Sequence, residues 1–279
     1  MCKFNLVCLI SFFLVILSIN SISAQENTIK KETVWKAVKK DGALIFGGVK
    51  HAYSRPFKWK KNDWFTFGGI ALGTALLYMY DEQTNDYFVN QDKGAPQMLK
   101  EIGWYYGSPQ NFFMISTGIY GYGLLAKNEK FRHTGVLIIS SAVATGFLQT
   151  ILKNGVGRAR PSAGFGKSEF DPFSSESHFH SFPSGHSILS FTASHAVAKQ
   201  FKNIWVKGGI YGVGLIAPIS RLWINAHWLS DVVLGMVISI VVVDSVDNFL
   251  KGRKTSRKEP KITWNFNAGI NRIGLVGTF

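Results

Sequence analysis

The stretch Ser220-Arg221-Leu222-Trp223-Ile224-Asn225-Ala226-His227-Trp228-Leu229-Ser230-Asp231 runs straight into Val232–Val243, a segment almost wholly apolar. A cation, an imidazole and a carboxylate therefore sit at the mouth of a helix that has nothing polar to offer them. If residues 227–231 are helical, His227 and Asp231 share one face at i, i+4, and the carboxylate can orient the imidazole and stabilise its charge. Apolar helical candidates of similar kind lie at about 64–80, 104–126, 133–152, 187–202 and 205–219, which with 231–250 make six. Several are 15–20 residues long, marginal spans when about 20 apolar residues are needed to cross a bilayer. Together they predict an all-α protein, a six-helix bundle embedded in a membrane.

Two further polar clusters interrupt the apolar pattern. Lys153-Asn-Gly-Val-Gly-Arg158-Ala-Arg160-Pro161 closes one helical candidate, and Pro183-Ser184-Gly185-His186 opens the next. Lys153, Arg160 and Arg221 offer a point charge and planar forks suited to phosphate oxygens. Ser184 adds a hydroxyl, and Gly185 lets its N–H approach an anion closely. Both precede a helix whose first N–H groups favour negative charge. His186 stands beside the same anion, placed to give a proton to a leaving oxygen. Taken singly, such residues are ordinary helix-end cations, turns and surface pairs; their joint occurrence is what points to an oxyanion site.

In order and spacing, Lys-x6-Arg-Pro, Pro-Ser-Gly-His and Ser-Arg-x5-His-x3-Asp resemble the three-part signature of the type 2 phosphatidic acid phosphatase and haloperoxidase superfamily. Every signature position is matched, over about residues 64–250. The resemblance implies that His227 attacks phosphorus to give a phosphohistidine, that Asp231 orients it, and that His186 protonates the leaving group. It implies that Lys153, Arg160, Ser184, Gly185 and Arg221 hold the phosphate, with Arg158 in a supporting role. No metal and no cofactor is expected, because the basic cage takes the metal's place. His178, His180 and His186 lack a nearby cysteine or a second acidic pair, so they do not read as a metal cluster.

Charge bears on location. The chain has 279 residues, with 31 Lys+Arg against 17 Asp+Glu for a net +14, and no nucleic-acid-binding module is visible. If connecting segments alternate between two faces, residues 26–63, 127–132, 199–207 and 251–279 carry 23 Lys/Arg, and 81–110, 153–186 and 220–230 carry seven. Four of those seven belong to the motifs. Such segregation follows the positive-inside rule and puts the motif face on the periplasmic side of a bacterial envelope membrane. Residues 1–24 read as a signal peptide: Lys3, an apolar run from Leu6 to Ile19, then Ile22-Ser23-Ala24. Cys2 and Cys8 both lie within it, so a mature chain would hold no disulfide. A cleaved signal conflicts with six full crossings, since it would bring the motifs inside.

The remaining segments are a basic amphipathic stretch at 25–63, with Trp35 and Phe46 among Lys36, Lys39, Lys40 and Lys50, and a tail at 251–279. The first predicts a helix at the membrane interface or in solvent. The alternation from Ile262 to Phe266 predicts a short β-hairpin-like tail. Between the first two motifs, 162–182 contains five Phe in a polar context and reads as a lid over a lipid tail. His51, His133 and His195 read as interface or packing residues. The expected substrate is a lipid phosphate or an isoprenyl diphosphate, on the outer membrane face. The alternatives are a soluble periplasmic acid phosphatase of broad specificity and, on the shared anion cage, a vanadium haloperoxidase.

Overall fold

A computed structural model describes residues 33–258 and the backbone of 263–269 and 272–278. The signal-peptide reading of 1–24 lies outside the described residues. Nine α-helices follow in order: α1 (Val34–Ser54), α2 (Lys61–Met79), α3 (Asp81–Gln91), α4 (Gln97–Gly107), α5 (Pro109–Leu125), α6 (Glu129–Val156), α7 (Gly185–Ala198), α8 (Ile204–Trp223) and α9 (Leu229–Lys258). The backbones of β1 (Thr263–Gly269) and β2 (Arg272–Thr278) pair antiparallel.

The described residues thus hold more helices than the six expected, for identifiable reasons. The apolar candidate 104–126 is two helices. Ser108 adopts an extended backbone (φ −78°, ψ 139°) and Pro109 starts a new helix at its first turn, the position where a missing N–H costs nothing. The segment 81–110, expected as a connection, contains polar α3 and all of α4. The basic stretch is helical too, and it is packed rather than free. Asp41 of α1 is buried and accepts from Arg132 Nε at 2.7 Å and Nη2 at 3.0 Å, and from Tyr120 Oη at 3.0 Å.

Helix α6 lies centrally, touching α1, α5, α7 and α9. Asn128 caps it by accepting from the Lys130 and Phe131 N–H groups. Its buried small residues Ser140, Ser141, Ala142, Ala144 and Thr145 admit close neighbours. Phe112, Val136, Leu137, Ile138, Leu189, Val243, Val246 and Leu250 form the apolar core around it. Polar groups inside are satisfied across helices, as where Ser239 Oγ donates to the Ile188 carbonyl at 2.8 Å.

Among the described residues, two helices are long and apolar enough to cross a membrane: Glu129–Val156 and Leu229–Arg253. Much of the surface is apolar as well. Helix α2 buries no residue and exposes Trp64, Phe65, Phe67, Leu72, Leu76 and Met79. Exposed apolar area of that extent fits a lipid surround better than water.

Candidate active site

The two long helices run in opposite senses, yet the motifs meet at one end of both. Lys153 is in the last turn of α6 and Asp231 in the first turn of α9. Gly157 ends α6 in the left-handed region (φ 59°), its N–H bonding the Lys153 carbonyl at 3.0 Å. A side chain there would overlap the Asp171 carbonyl, so the reversal that turns the following residues inward needs glycine.

That reversal sends Arg158 into the interior, 1% exposed. Its Nη1 donates to Asp231 Oδ1 at 2.7 Å and to Ser230 Oγ at 2.8 Å, and its Nη2 donates to Asp81 Oδ2 at 2.8 Å. Asp81 is itself fully buried and accepts from the Ser230 N–H at 2.9 Å and from Ser230 Oγ at 2.5 Å. The guanidinium is sandwiched at 4.8 Å from the Tyr78 ring and 5.2 Å from the Trp228 ring. One cation shared by two buried carboxylates leaves neither uncompensated. Arg158, expected only to support, is the hub of the site's buried charge.

His227 precedes α9, which begins at Leu229; it is not on the helix face expected from its i, i+4 spacing. Its Nδ1 lies 3.8 Å from Asp231 Oδ2, beyond hydrogen-bonding reach. Ser181 stands between: its Oγ donates to Asp231 Oδ2 at 2.5 Å and lies 3.5 Å from His227 Nδ1. Trp228 N–H also donates to Oδ2, at 3.0 Å. The other imidazole nitrogen, Nε2, is 3.3 Å from Arg160 Nη1. Burial, together with the charges of Lys153 and Arg160, lowers the His227 pKa to about 4, against the opposing pull of Asp231. At neutral pH the ring is uncharged and keeps a lone pair.

The cations are held by backbone. Lys153 Nζ donates to the His180 carbonyl at 2.6 Å, and Arg160 Nη2 to the same carbonyl at 3.3 Å. Arg160 also donates to the Ala226 carbonyl at 2.9 Å and the Ser177 carbonyl at 3.2 Å. Arg221 is buried at the end of α8, its Nε and Nη2 both 3.2 Å from Ser220 Oγ. Ser184 caps the start of α7; its N–H donates to the Asp231 carbonyl at 3.0 Å and its Oγ accepts from Ser187 at 3.0 Å. Gly185 opens α7 beside Gln149. His186, next in sequence, has a buried Nε2 with no hydrogen-bonding partner among the described residues. Its pKa is lowered to about 3, first by burial and then by Arg221, His227, Arg160 and Lys153.

All eight sequence-predicted residues are thus brought to one end of the bundle. An anion entering there would meet three cations, a helix N-terminus, an unprotonated imidazole and a second imidazole with a free nitrogen. Sequence reasoning missed Asp81, Ser181, Tyr78 and Trp104. Asp81 had one available signal, an acid opening a polar segment that follows an apolar helix. The His178 ring pairs with Glu176 at 2.9 Å, and His180 Nε2 bonds the Ser174 carbonyl at 2.9 Å.

A family model described as the PAP2 superfamily matches residues 134–246, from the body of α6 into α9. The chain is 28% identical over 199 residues to a lipid A 1-phosphatase of Rhizobium etli, covering 65% of this chain and 80% of the relative. It is 36% identical over 109 residues to a lipid A 1-phosphatase of Rhizobium johnstonii, covering 37% of this chain and 42% of the relative. It is 27% identical over 136 residues to phosphatidylglycerophosphatase B of Bacillus subtilis, covering 45% and 62%. With its motifs gathered at one site and these matches across them, the chain is similar to the PAP2 superfamily over residues 134–246, and its phosphatase-named relatives support a phosphoric monoester hydrolase.

Proposed function

We propose that the protein dephosphorylates a phosphorylated membrane lipid through a phosphohistidine on His227, at the periplasmic face. The observation that carries this reading is the environment of the His227 imidazole. Nε2 faces Arg160, while Nδ1 faces Ser181 and, behind it, Asp231. That arrangement aims an uncharged nitrogen at the point where the cations gather phosphate oxygens.

The first step forms a bond between His227 Nε2 and phosphorus and breaks the bond from phosphorus to the lipid oxygen. His186 gives that oxygen its proton. In the second step water attacks phosphorus, His186 takes a water proton, and the nitrogen–phosphorus bond breaks to release inorganic phosphate. Lys153, Arg160, Arg221, Ser184 and the Gly185 N–H hold the equatorial oxygens, where charge is spread in phosphoryl transfer. Burial is the main cause of the depressed His186 pKa, and bound phosphate offsets the cations that add to it, which favours the protonated ring that cleavage needs.

A lipid substrate is supported by the lipid-phosphatase relatives, by the apolar exterior and by the two long apolar helices. Lipid A carrying a 1-phosphate and phosphatidylglycerophosphate are the leading candidates. Phe165 and Phe179 stack at 5.9 Å in the 162–182 segment, and Phe173 is 81% exposed, a surface suited to acyl chains. The basic end of the bundle, where α1 and Arg132 meet, would face the cytoplasm.

The test is phosphate release in detergent with EDTA, from a lipid phosphomonoester, an isoprenyl diphosphate and p-nitrophenyl phosphate. The reading expects a lipid phosphate to be turned over best, with loss of at least about 10³-fold in His227→Asn. Better turnover of p-nitrophenyl phosphate would favour a general acid phosphatase. Release from none of them would turn attention to vanadate and peroxide.

A further inference from the structure

The phosphate chemistry leaves one sequence element unused: Gly103-Trp104-Tyr105-Tyr106-Gly107, the C-terminal end of α4. Gly103 and Gly107 are buried and one helical turn apart, so they share a face. A Cβ on Gly107 would come within 2.7 Å of both Cβ and Cδ2 of His186 and 2.9 Å of its Cα. One on Gly103 would overlap Ser220 Oγ and lie 2.8 Å from the Ile216 carbonyl. The α4 backbone therefore rests directly on His186 of α7 and on the end of α8 that carries Arg221. Tyr106 fastens the contact, its hydroxyl 2.8 Å from Ser194 Oγ on α7.

This seating puts the Trp104 indole over two site residues at once. Its centroid is 5.1 Å from the His186 imidazole, tilted by 38°, and the Arg221 guanidinium carbon is 5.0 Å from the indole. Trp104 is nonetheless 52% exposed, whereas Arg221 is 2% exposed. One part of the indole covers the site and the rest is open to whatever approaches.

We propose that Trp104 is a positioning residue for the general acid and forms the wall against which the leaving alcohol departs. The inference rests on the reading of His186 as that acid. With no hydrogen bond to Nε2 among the described residues, the indole and the Gly107 backbone are the visible contacts that fix the ring plane. The group that takes the His186 proton must leave beside whatever packs on that ring. An open aromatic face there suits the carbon skeleton next to the leaving oxygen, not the phosphate.

The experiment compares two esters that differ in their need for a proton. The p-nitrophenol of p-nitrophenyl phosphate leaves as a stable anion, whereas the alcohol of a short-chain phosphatidate must be protonated. Trp104→Ala is expected to lose about 30-fold in kcat on phosphatidate and less than about threefold on p-nitrophenyl phosphate, a partial loss beside the roughly 10²–10⁴-fold that a general acid itself supplies. Trp104→Phe should recover most of the loss and Trp104→Leu little, which keeps the comparison available if the alanine variant folds poorly. Equal losses on the two esters, or none on either, would overturn the proposal. His186→Asn is run alongside. If it shows the ester dependence and the Trp104 variants do not, only the wall and positioning role falls. If His186→Asn itself shows none, the general-acid reading fails and this proposal with it.

Discussion

Arg158 Nη1 lies 2.7 Å from Asp231 Oδ1, and the same guanidinium holds Asp81 through Nη2 at 2.8 Å, all three residues being buried. The carboxylate behind His227 is thus anchored to a second carboxylate 150 residues earlier in the chain, Asp81. Asp81→Asn removes half of the charge that Arg158 compensates. It is expected to cost about 3 kcal/mol of stability, the range for breaking a buried pair. Because Asp231 keeps its place less firmly, kcat should fall more than KM rises. Thermal unfolding in detergent, combined with steady-state kinetics on the same preparation, checks both.

Ser181 joins Asp231 to His227 where direct contact is too long. Ser181→Ala leaves Asp231 Oδ2 with the Trp228 N–H and removes the nearest hydroxyl to Nδ1. A lost hydrogen bond to a charged group is worth about 1.5–3 kcal/mol. The expected result is a roughly tenfold to hundredfold lower kcat, with inhibition by inorganic phosphate little changed.

How much of this was legible in the sequence depends on what makes a residue visible there. Lys153, Arg160, Ser184, Gly185, His186, Arg221, His227 and Asp231 announce themselves because each is polar at an apolar boundary and the spacing within each cluster is short. Asp81, Ser181 and Trp104 have no such spacing. Their meaning comes from contacts 149, 50 and 82 positions away, with Ser230, Asp231 and His186. Hydropathy also misjudged boundaries: it saw 104–126 as one apolar run, although Ser108-Pro109 carries a helix-start signal. Helix α3, with Asp-Glu-Gln-Thr-Asn in its first half, shows no apolar stripe and read as a connection. The i, i+4 spacing of His227 and Asp231 suggested a shared helical face, but the helix starts two residues too late.

The pH dependence follows from the depressed imidazoles. On the proposed mechanism His227 must be uncharged to attack, and its lowered pKa keeps it so down to about pH 4. The acid limb of kcat/KM is therefore expected near pH 4, not near the ordinary histidine value of about 6.5. His186 must carry a proton, so activity should fall as pH rises through its pKa in the substrate complex. His186→Asn should flatten that alkaline limb. A pH–rate series on p-nitrophenyl phosphate and on a lipid phosphate separates the two limbs; an acid limb near 6.5 would contradict the electrostatics described.

The other end of the bundle should be separable from the chemistry. Asp41 and Arg132 tie α1 to α6, and Arg132 is 21 residues from Lys153 along α6, about 31 Å at 1.5 Å per residue. Asp41→Asn is expected to lower stability by about 3 kcal/mol by breaking the buried ion pair with Arg132. Turnover at a temperature well below unfolding should stay within about twofold. Differential scanning fluorimetry and an initial-rate assay decide it.

The account turns on a covalent bond between phosphorus and His227 Nε2. The most direct measurement is a rapid alkaline quench of the enzyme with a phosphorus-labelled lipid phosphate, followed by peptide mapping. Phosphohistidine survives base and is lost in acid, so the account predicts an acid-labile label on the peptide containing residue 227, absent in His227→Asn. Label on another residue, or full turnover by His227→Asn, would contradict it.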